Sequence, residues 1–565
     1  MKFKEFKYER PDYDQVKGQL DTLQNELKEC SDVNSFMEIF DKINQIRSHV
    51  QTMASLSSTR YSINTADEFY EKENDYWDEI SPMYASTNSD LYKIILNHKL
   101  RNELEGRIPS AFFKLAECAI KSFDEKIISD MQEENKLISR QAKLYAGAKI
   151  DFEGKIYNLS SIGVKTTDKD RKTRESAIQA KMKWFEENEE EIDEIFDQMV
   201  KVRTTMAHKL GYSSFTELGY LRMSRLDYNA DMVANYRKQV LNFIVPAAKE
   251  LYDEQRERLG YKELRYFDEK IEFLSGNPKP KGTTEELIQA ANKMYHELSK
   301  ETGEFFDVMV EQELFDLESK PNKQGGGYCT DFPDYKVPFI FSNFNGTSGD
   351  VDVLTHEAGH AFQSYMSQKT ITIPECMFPT MESAEIHSMS MEFFAHPWMP
   401  YFFKEETDKY YYLHVADAMK FVPYGVLVDH FQHEIYANPN CTKDERKKMW
   451  RDLEKKYLPH KDYAGCDMLE KGCWWYQQGH IFQSPFYYID YTLAQVCALQ
   501  FWVRMINKDE KAWSDYVHLC GLGGTKTFLE LVKEAGLKSP FEDGTIEPVV
   551  ATVKEYLSSI DAKTF

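Results

Sequence analysis

No stretch of this 565-residue chain approaches 18 uncharged apolar residues, so no membrane-spanning helix is expected. The opening residues, MKFKEFKYERPDYDQVKG, are charged throughout and lack the apolar core of a secretory signal. Cysteine offers no framework either. Its nine copies are scattered, odd in number and without a CxxC pair, which fits reduced thiols better than disulfides. Positive charge is in deficit: 70 Lys and Arg stand against 93 Asp and Glu, a net charge of −23. A surface of that sign repels phosphate, which argues against nucleic acid or an anionic membrane as partner. The expectation is a soluble, cytoplasmic protein. Proline is scarce at first, with only Pro11, Pro82 and Pro109 before residue 245, and no repeat of fixed period occurs.

Hydrophobic residues make up 42% of the chain and aromatic ones 14%, a globular composition. Up to about residue 148 the apolar positions recur at helical spacing, as in 16–29, 33–53, 67–83 and 111–139. Residues 149–165 alternate around Gly154 like a short hairpin. Helical patterns return from Asp170 and again over 230–256 and 284–317; the acidic run Glu186–Glu191 reads as a solvated helix face. From 321 to 346 the character changes to a small sheet, with Gly325-Gly326-Gly327 as a hinge or turn and VPFIFSNF as a strand. An edge strand there would suit pairing with a peptide backbone. The domain boundary is expected near residue 175, giving a helical lobe (1–175) and a catalytic region (176–565).

The chemistry is concentrated in His356-Glu357-Ala358-Gly359-His360. Two histidines four apart on a helix share a face, so both imidazoles reach one ion. Glu357 projects about 100° round the axis and approaches a water there without competing for the metal. A chance match to this pattern is expected about 0.03 times in such a chain. Two near misses serve as controls: His296-Glu297 runs on to Lys300, and His433-Glu434 to Ala437. Ser348, Asp350 and Asp352 give the helix an acidic start, and Val351, Leu354, Ala358, Ala361 and Tyr365 form its apolar stripe.

A catalytic zinc keeps three protein ligands and an open position for water. The third is sought in a second helix after Pro379, with Thr380 placed to cap it. Glu382, Glu385 and Glu392 share one face, and spacing alone leaves Glu382 and Glu385 as equal candidates. Glu392 is placed to accept the outer N–H of a ligand histidine. A rival metal pair, His430 and His433, lies further on. The segment Gly479–Tyr491 offers His480, Tyr488 and Tyr491 as donors toward an oxyanion, with Pro485 placed like a first helical residue. Gly521–Thr527 lacks the spacing of a phosphate-binding loop and reads as a plain loop.

HEAGH, followed 29 residues after its first histidine by Glu385 within AEIHSMSME, resembles the thimet oligopeptidase and oligoendopeptidase F family of zinc metallopeptidases. The segment GHIFQSPFYYIDY resembles that family's second active-site segment, and the C-terminal GGTKTFLELVKEAGL is similar to its bacterial branch, of oligoendopeptidase F or Pz-peptidase type. The resemblance implies a mainly α fold, two helical lobes around a deep substrate channel. It implies one zinc held by His356, His360 and Glu385, with Glu357 as general base and His480, Tyr488 and Tyr491 as catalytic donors. The expected activity is hydrolysis of internal bonds in short oligopeptides. A metallo-exopeptidase and an inactive zinc-binding scaffold are the alternatives.

Overall fold

The computed structural model describes residues 1–565. It is mostly helical, with one two-stranded and one three-stranded sheet. None of its helices is long and apolar enough to cross a membrane. All nine cysteines are free thiols.

The chain begins with long helices, Tyr13–Glu29, Val33–Ile63 and Glu68–Leu96. Asp12, Asp32 and Asp67 cap them by accepting backbone N–H bonds. The third helix runs straight through Pro82, although proline cannot donate the intrahelical bond. The carbonyl this leaves free, that of Asp78, is met instead by Asn135 Nδ2 at 2.9 Å. The helix expected over 111–139 is two helices, Ser110–Lys121 and Ile128–Ala146, parted at an Asp124-capped turn. These first helices hold an apolar cluster of their own, around Phe36, Phe40, Leu91 and Phe112, which reaches the rest through Ile373 and Cys376. The main core is continuous and draws on residues from Phe6 to Ala562.

Strands β1 (Ile150–Phe152) and β2 (Lys155–Tyr157) form the expected hairpin. Its turn residues, Glu153 and Gly154, both have positive φ, the geometry that matches strand twist. The acidic run is not one helix face: it straddles a break at Asn188, and Glu189–Glu191 occupy the first turn of the next helix. There they face the positive end of its dipole. The 230–256 pattern is continuous helix apart from a π-turn at Val240–Ile244. The 284–317 pattern divides into helices Thr284–Leu298 and Lys300–Glu311 and the start of a strand.

The sheet comprises β3 (Phe315–Glu318), β4 (Tyr328–Phe332) and β5 (Val337–Phe344), in the order β3-β5-β4. Central β5 is buried on both faces, which explains its unbroken apolar run. It pairs parallel to β3 and antiparallel to β4, so β4 is an edge. The sheet packs against the HExxH helix, Gly349–Ser367. Ser348 does not cap that helix; its backbone is already helical, and Asp350 reaches back to accept from the N–H groups of Asn345 and Gly346 at 2.9 and 2.8 Å.

The second helix, Met381–Phe394, is buried along nearly its whole length between the HExxH helix and Ile489–Ile506. Thr380 stands at its N-cap position, but its side chain accepts no backbone N–H bond. Gly359 makes the approach possible. A Cβ there would lie 2.5 Å from the His387 carbonyl oxygen and 2.7 Å from Ser388 Cα, both backbone atoms that cannot swing aside. Gly359→Ala is therefore expected to cost about 1–3 kcal/mol of stability. Calorimetry should record a lower unfolding midpoint, and an unchanged midpoint would contradict this packing.

Candidate metal centre and catalytic cleft

His356 and His360 lie one turn apart, and both present Nε2 to the same carboxylate oxygen of Glu385, at 3.1 and 3.3 Å. Donor atoms of these three residues all fall within 4.8 Å of one another, and no other His, Cys, Asp or Glu joins them. Tetrahedral zinc with bonds near 2.0–2.1 Å spaces its ligand atoms about 3.3 Å apart, so the separations and the N,N,O donor set fit that ion. Glu382, the other candidate from spacing, points elsewhere: Arg225 holds it at 3.1 Å and Asp490 at 2.6 Å. The rival pair also separates. His430 Nδ1 bonds Tyr457 OH at 2.9 Å and His433 Nε2 bonds Tyr220 OH at 3.1 Å, with no third ligand between them.

Around this trio the hydrogen bonds are specific. Glu392 Oε1 takes the outer nitrogen of His356 at 2.7 Å, which turns Nε2 inward. Its other oxygen bonds His414 Nε2 at 2.8 Å, and His414 Nδ1 meets His396 Nε2 at 2.9 Å. His360 Nδ1 has no partner. Glu385 accepts from Ser388 Oγ at 2.7 Å on Oε2 and from the Tyr487 hydroxyl on Oε1.

Glu357 is buried, and its Oε2 has no bonding partner. Burial pushes its carboxyl up, the two histidines partly offsetting this, so the group is a stronger base than a surface glutamate. The triple glycine leaves room for it: Gly326 turns with φ +91°, and a Cβ on Gly327 would stand 3.2 Å from Glu357 Oε1.

Opposite stands the segment Gly479–Tyr491. The Tyr424 hydroxyl donates to Gln478 Oε1 at 2.9 Å, and the Gln478 amide to His480 Nδ1 at 2.7 Å. The His480 proton therefore sits on Nε2, 3.3 Å from the Tyr491 hydroxyl. Burial pushes His480 down to about 4, so the ring is neutral at neutral pH. Burial and the Glu385 carboxylate hold the hydroxyls of Tyr487 and Tyr491 well above the usual range, keeping both as O–H donors. Pro485 does not start a helix. It lies in a turn after the short helix Gly479–Gln483, and the next helix begins at Ile489. Phe486 takes φ +66° in that turn, held by its N–H to Gln432 Oε1 (2.9 Å) and by Arg225 to its carbonyl (2.8 Å).

The trio, Glu357, His480, Tyr487 and Tyr491 all line one cavity of about 510 Å³. Its far wall comes from Gln141, Tyr145 and Asn158–Ser160, and its roof from Gly325–Cys329 at the start of edge strand β4. Tyr488 faces an adjoining chamber instead, together with His480 and Tyr491. Tyr487, His414 and Gln478 were not foreseen. Tyr487 is one place from a selected tyrosine, but His414 and Gln478 carry no local signal.

A model of peptidase family M3 matches residues 164–549, and one of the peptidase M3 N-terminal domain matches 3–123. This chain belongs to peptidase family M3. Among curated relatives of this M3 chain, the oligoendopeptidase F homolog of Borreliella burgdorferi is 24% identical over 338 residues, 57% of this chain and 55% of the relative. Oligopeptidase PepF of Bacillus subtilis is 22% identical over 292 residues, 50% of this chain and 41% of the relative. The alignments thus span about half the length of these curated relatives. The solved structure of Pz peptidase A with inhibitor 2 matches end to end, covering 100% of both chains at 50% identity and a TM-score of 0.98.

Outer partners of metal-ligating histidines commonly tune metal affinity by 10- to 100-fold. Glu392→Gln, which weakens the bond to His356, is expected to raise the zinc dissociation constant by about that factor in a chelator competition. An unchanged constant would remove Glu392 from the centre.

Proposed function

We propose that this M3 chain is a zinc-dependent endopeptidase that hydrolyses internal bonds of short oligopeptides. The observation that carries it is the convergence of His356, His360 and Glu385 beside an unpartnered Glu357 within one cavity. In this reading the three residues hold the ion. When bound there, zinc supplies Lewis acidity toward the carbonyl and toward water.

The chain's own groups do the rest. Glu357 removes a proton from the attacking water and later delivers it to the leaving amine. Its raised basicity and free oxygen suit both transfers. Neutral His480, through Nε2–H, and the Tyr491 hydroxyl donate to the oxyanion, with Tyr488 behind them. The tautomer set by Gln478 supports that role for His480. Edge strand β4 offers free backbone groups for an added peptide strand, which would orient many sequences alike. Residues 1–175, as one lobe, would close the far wall through Gln141 and Tyr145 over the catalytic region 176–565. A cavity enclosed in this way admits an extended chain and excludes a folded domain.

Glu357→Gln is expected to retain zinc, measured by atomic emission, while turnover falls about 10²- to 10⁴-fold. Near-normal turnover in that variant would reject the assignment. Across a length series ending in intact folded proteins, products should come from internal cleavage of short peptides only. Efficient cleavage of a folded protein would refute the enclosed channel.

A further inference from the structure

A second cavity of about 290 Å³ adjoins the catalytic one, and the two share His480 and Tyr491. Part of its wall is apolar or aromatic, including Met389 and Phe421; the rest is polar, with three carboxylates (Asp352, Glu392 and Asp417) against the imidazoles of His414 and His480, and no lysine or arginine. The three carboxylates are not equally engaged. Glu392 is occupied on both oxygens by His356 and His414. Asp352 accepts one bond, from Tyr410 at 2.7 Å. Asp417 is exposed to the chamber and pairs with neither nearby lysine. Lys420, on the same helix, is held by Gln255 and Glu272. Lys270 makes no ion pair with it.

Desolvation, helped by neighbouring carboxylates, pushes Asp417 up to about 6 and Asp352 up to about 7; this disfavours their ionised forms, and an adjacent cation would reverse it. Gln495 is an independent pointer. It lines the same chamber, is only 6% exposed, and its Nε2 has no partner. A buried amide N–H in that state calls for an acceptor, which a peptide carbonyl supplies. The acidic groups do not converge as metal ligands do; only His356, His360 and Glu385 meet that condition. The catalytic cavity has the opposite character at Lys181, which forms no ion pair and lies outside the acidic chamber.

We infer that this chamber is a subsite for a cationic group of the peptide substrate, with Asp417 and Asp352 meeting the charge, Phe421 and Met389 packing its aliphatic stem, and Gln495 bonding the backbone. The cation is an arginine or lysine side chain or the α-ammonium terminus. The inference rests on the peptidase reading above.

The test uses peptides that differ only by arginine or citrulline at one scanned position, each with a free or acetylated amino terminus. In the wild type, kcat/KM should favour the cation at one position by about tenfold, mostly through KM. Loss of the preference on acetylation alone would identify the α-ammonium as the occupant. Asp417→Asn should bring the ratio close to 1, and Asp417→Lys should invert it. Dissociation constants from titration calorimetry on Glu357→Gln should carry the same ratios. Equal ratios in all three enzymes, or an equal loss on both peptides, would overturn the subsite. Charge-selective binding without cleavage by the wild type would overturn the peptidase reading and leave the subsite standing.

Discussion

The centre depends on one close contact between two helix backbones. Gly359 lies against the His387 carbonyl, so near that a methyl group has no place to go. That contact brings Met381–Phe394 within side-chain reach of the HExxH helix, and a single carboxylate from the second helix then faces two imidazoles of the first. Side chains of glutamate length span only a few ångströms. A wider helix spacing would leave Glu385 short of both rings and the donor set incomplete.

Bringing these groups together buries charge, and the surroundings show how that is tolerated. Most polar groups around the trio, His360 Nδ1 apart, are tied to a defined partner: Glu392 bridges His356 and His414, and Tyr487 and Ser388 bond Glu385. Networks of this kind hold orientation as well as offset desolvation, because every member fixes the next. Two of the unpartnered groups lie where the chemistry needs freedom. Glu357 Oε2 and Gln495 Nε2 stay without partners, and both residues line cavities. The left-handed turn at Phe486 is a second cost, held by bonds from Gln432 and Arg225, and it brings His480 and the tyrosines to the cleft.

Much of this was legible in the order of residues. The HExxH pattern works through helical periodicity, a local property, so the two histidines and Glu357 fall where spacing places them. Glu392 was accessible on the same grounds, as one more residue on a helix face. Spacing could not separate Glu382 from Glu385; the resemblance did, and Arg225, more than 150 residues away, is what draws Glu382 off. His414 was invisible because its partners, Glu392 and His396, lie on other elements. Gln478 is only two residues from His480, but nothing in the sequence orients its amide, which Tyr424 fixes from another helix. Helix ends were misread at two residues suited to capping: Ser348 is already helical in its backbone while Asp350 holds the loop before it, and the Thr380 side chain makes no cap bond. Pro485 misled for a related reason: proline fits a first helical turn and a tight turn equally well. At Pro82 the opposite occurred, and a helix continued because Asn135 met the freed carbonyl.

The central claim is that two helices together present two imidazoles and one carboxylate to a single divalent ion. A crystal structure of the zinc-loaded protein, with anomalous data collected on both sides of the zinc edge, tests it most directly. The account predicts one strong peak per chain between His356 Nε2, His360 Nε2 and Glu385, with any further ligand contributed by solvent or peptide. A peak elsewhere, or a fourth protein side chain closing the coordination sphere, would contradict it.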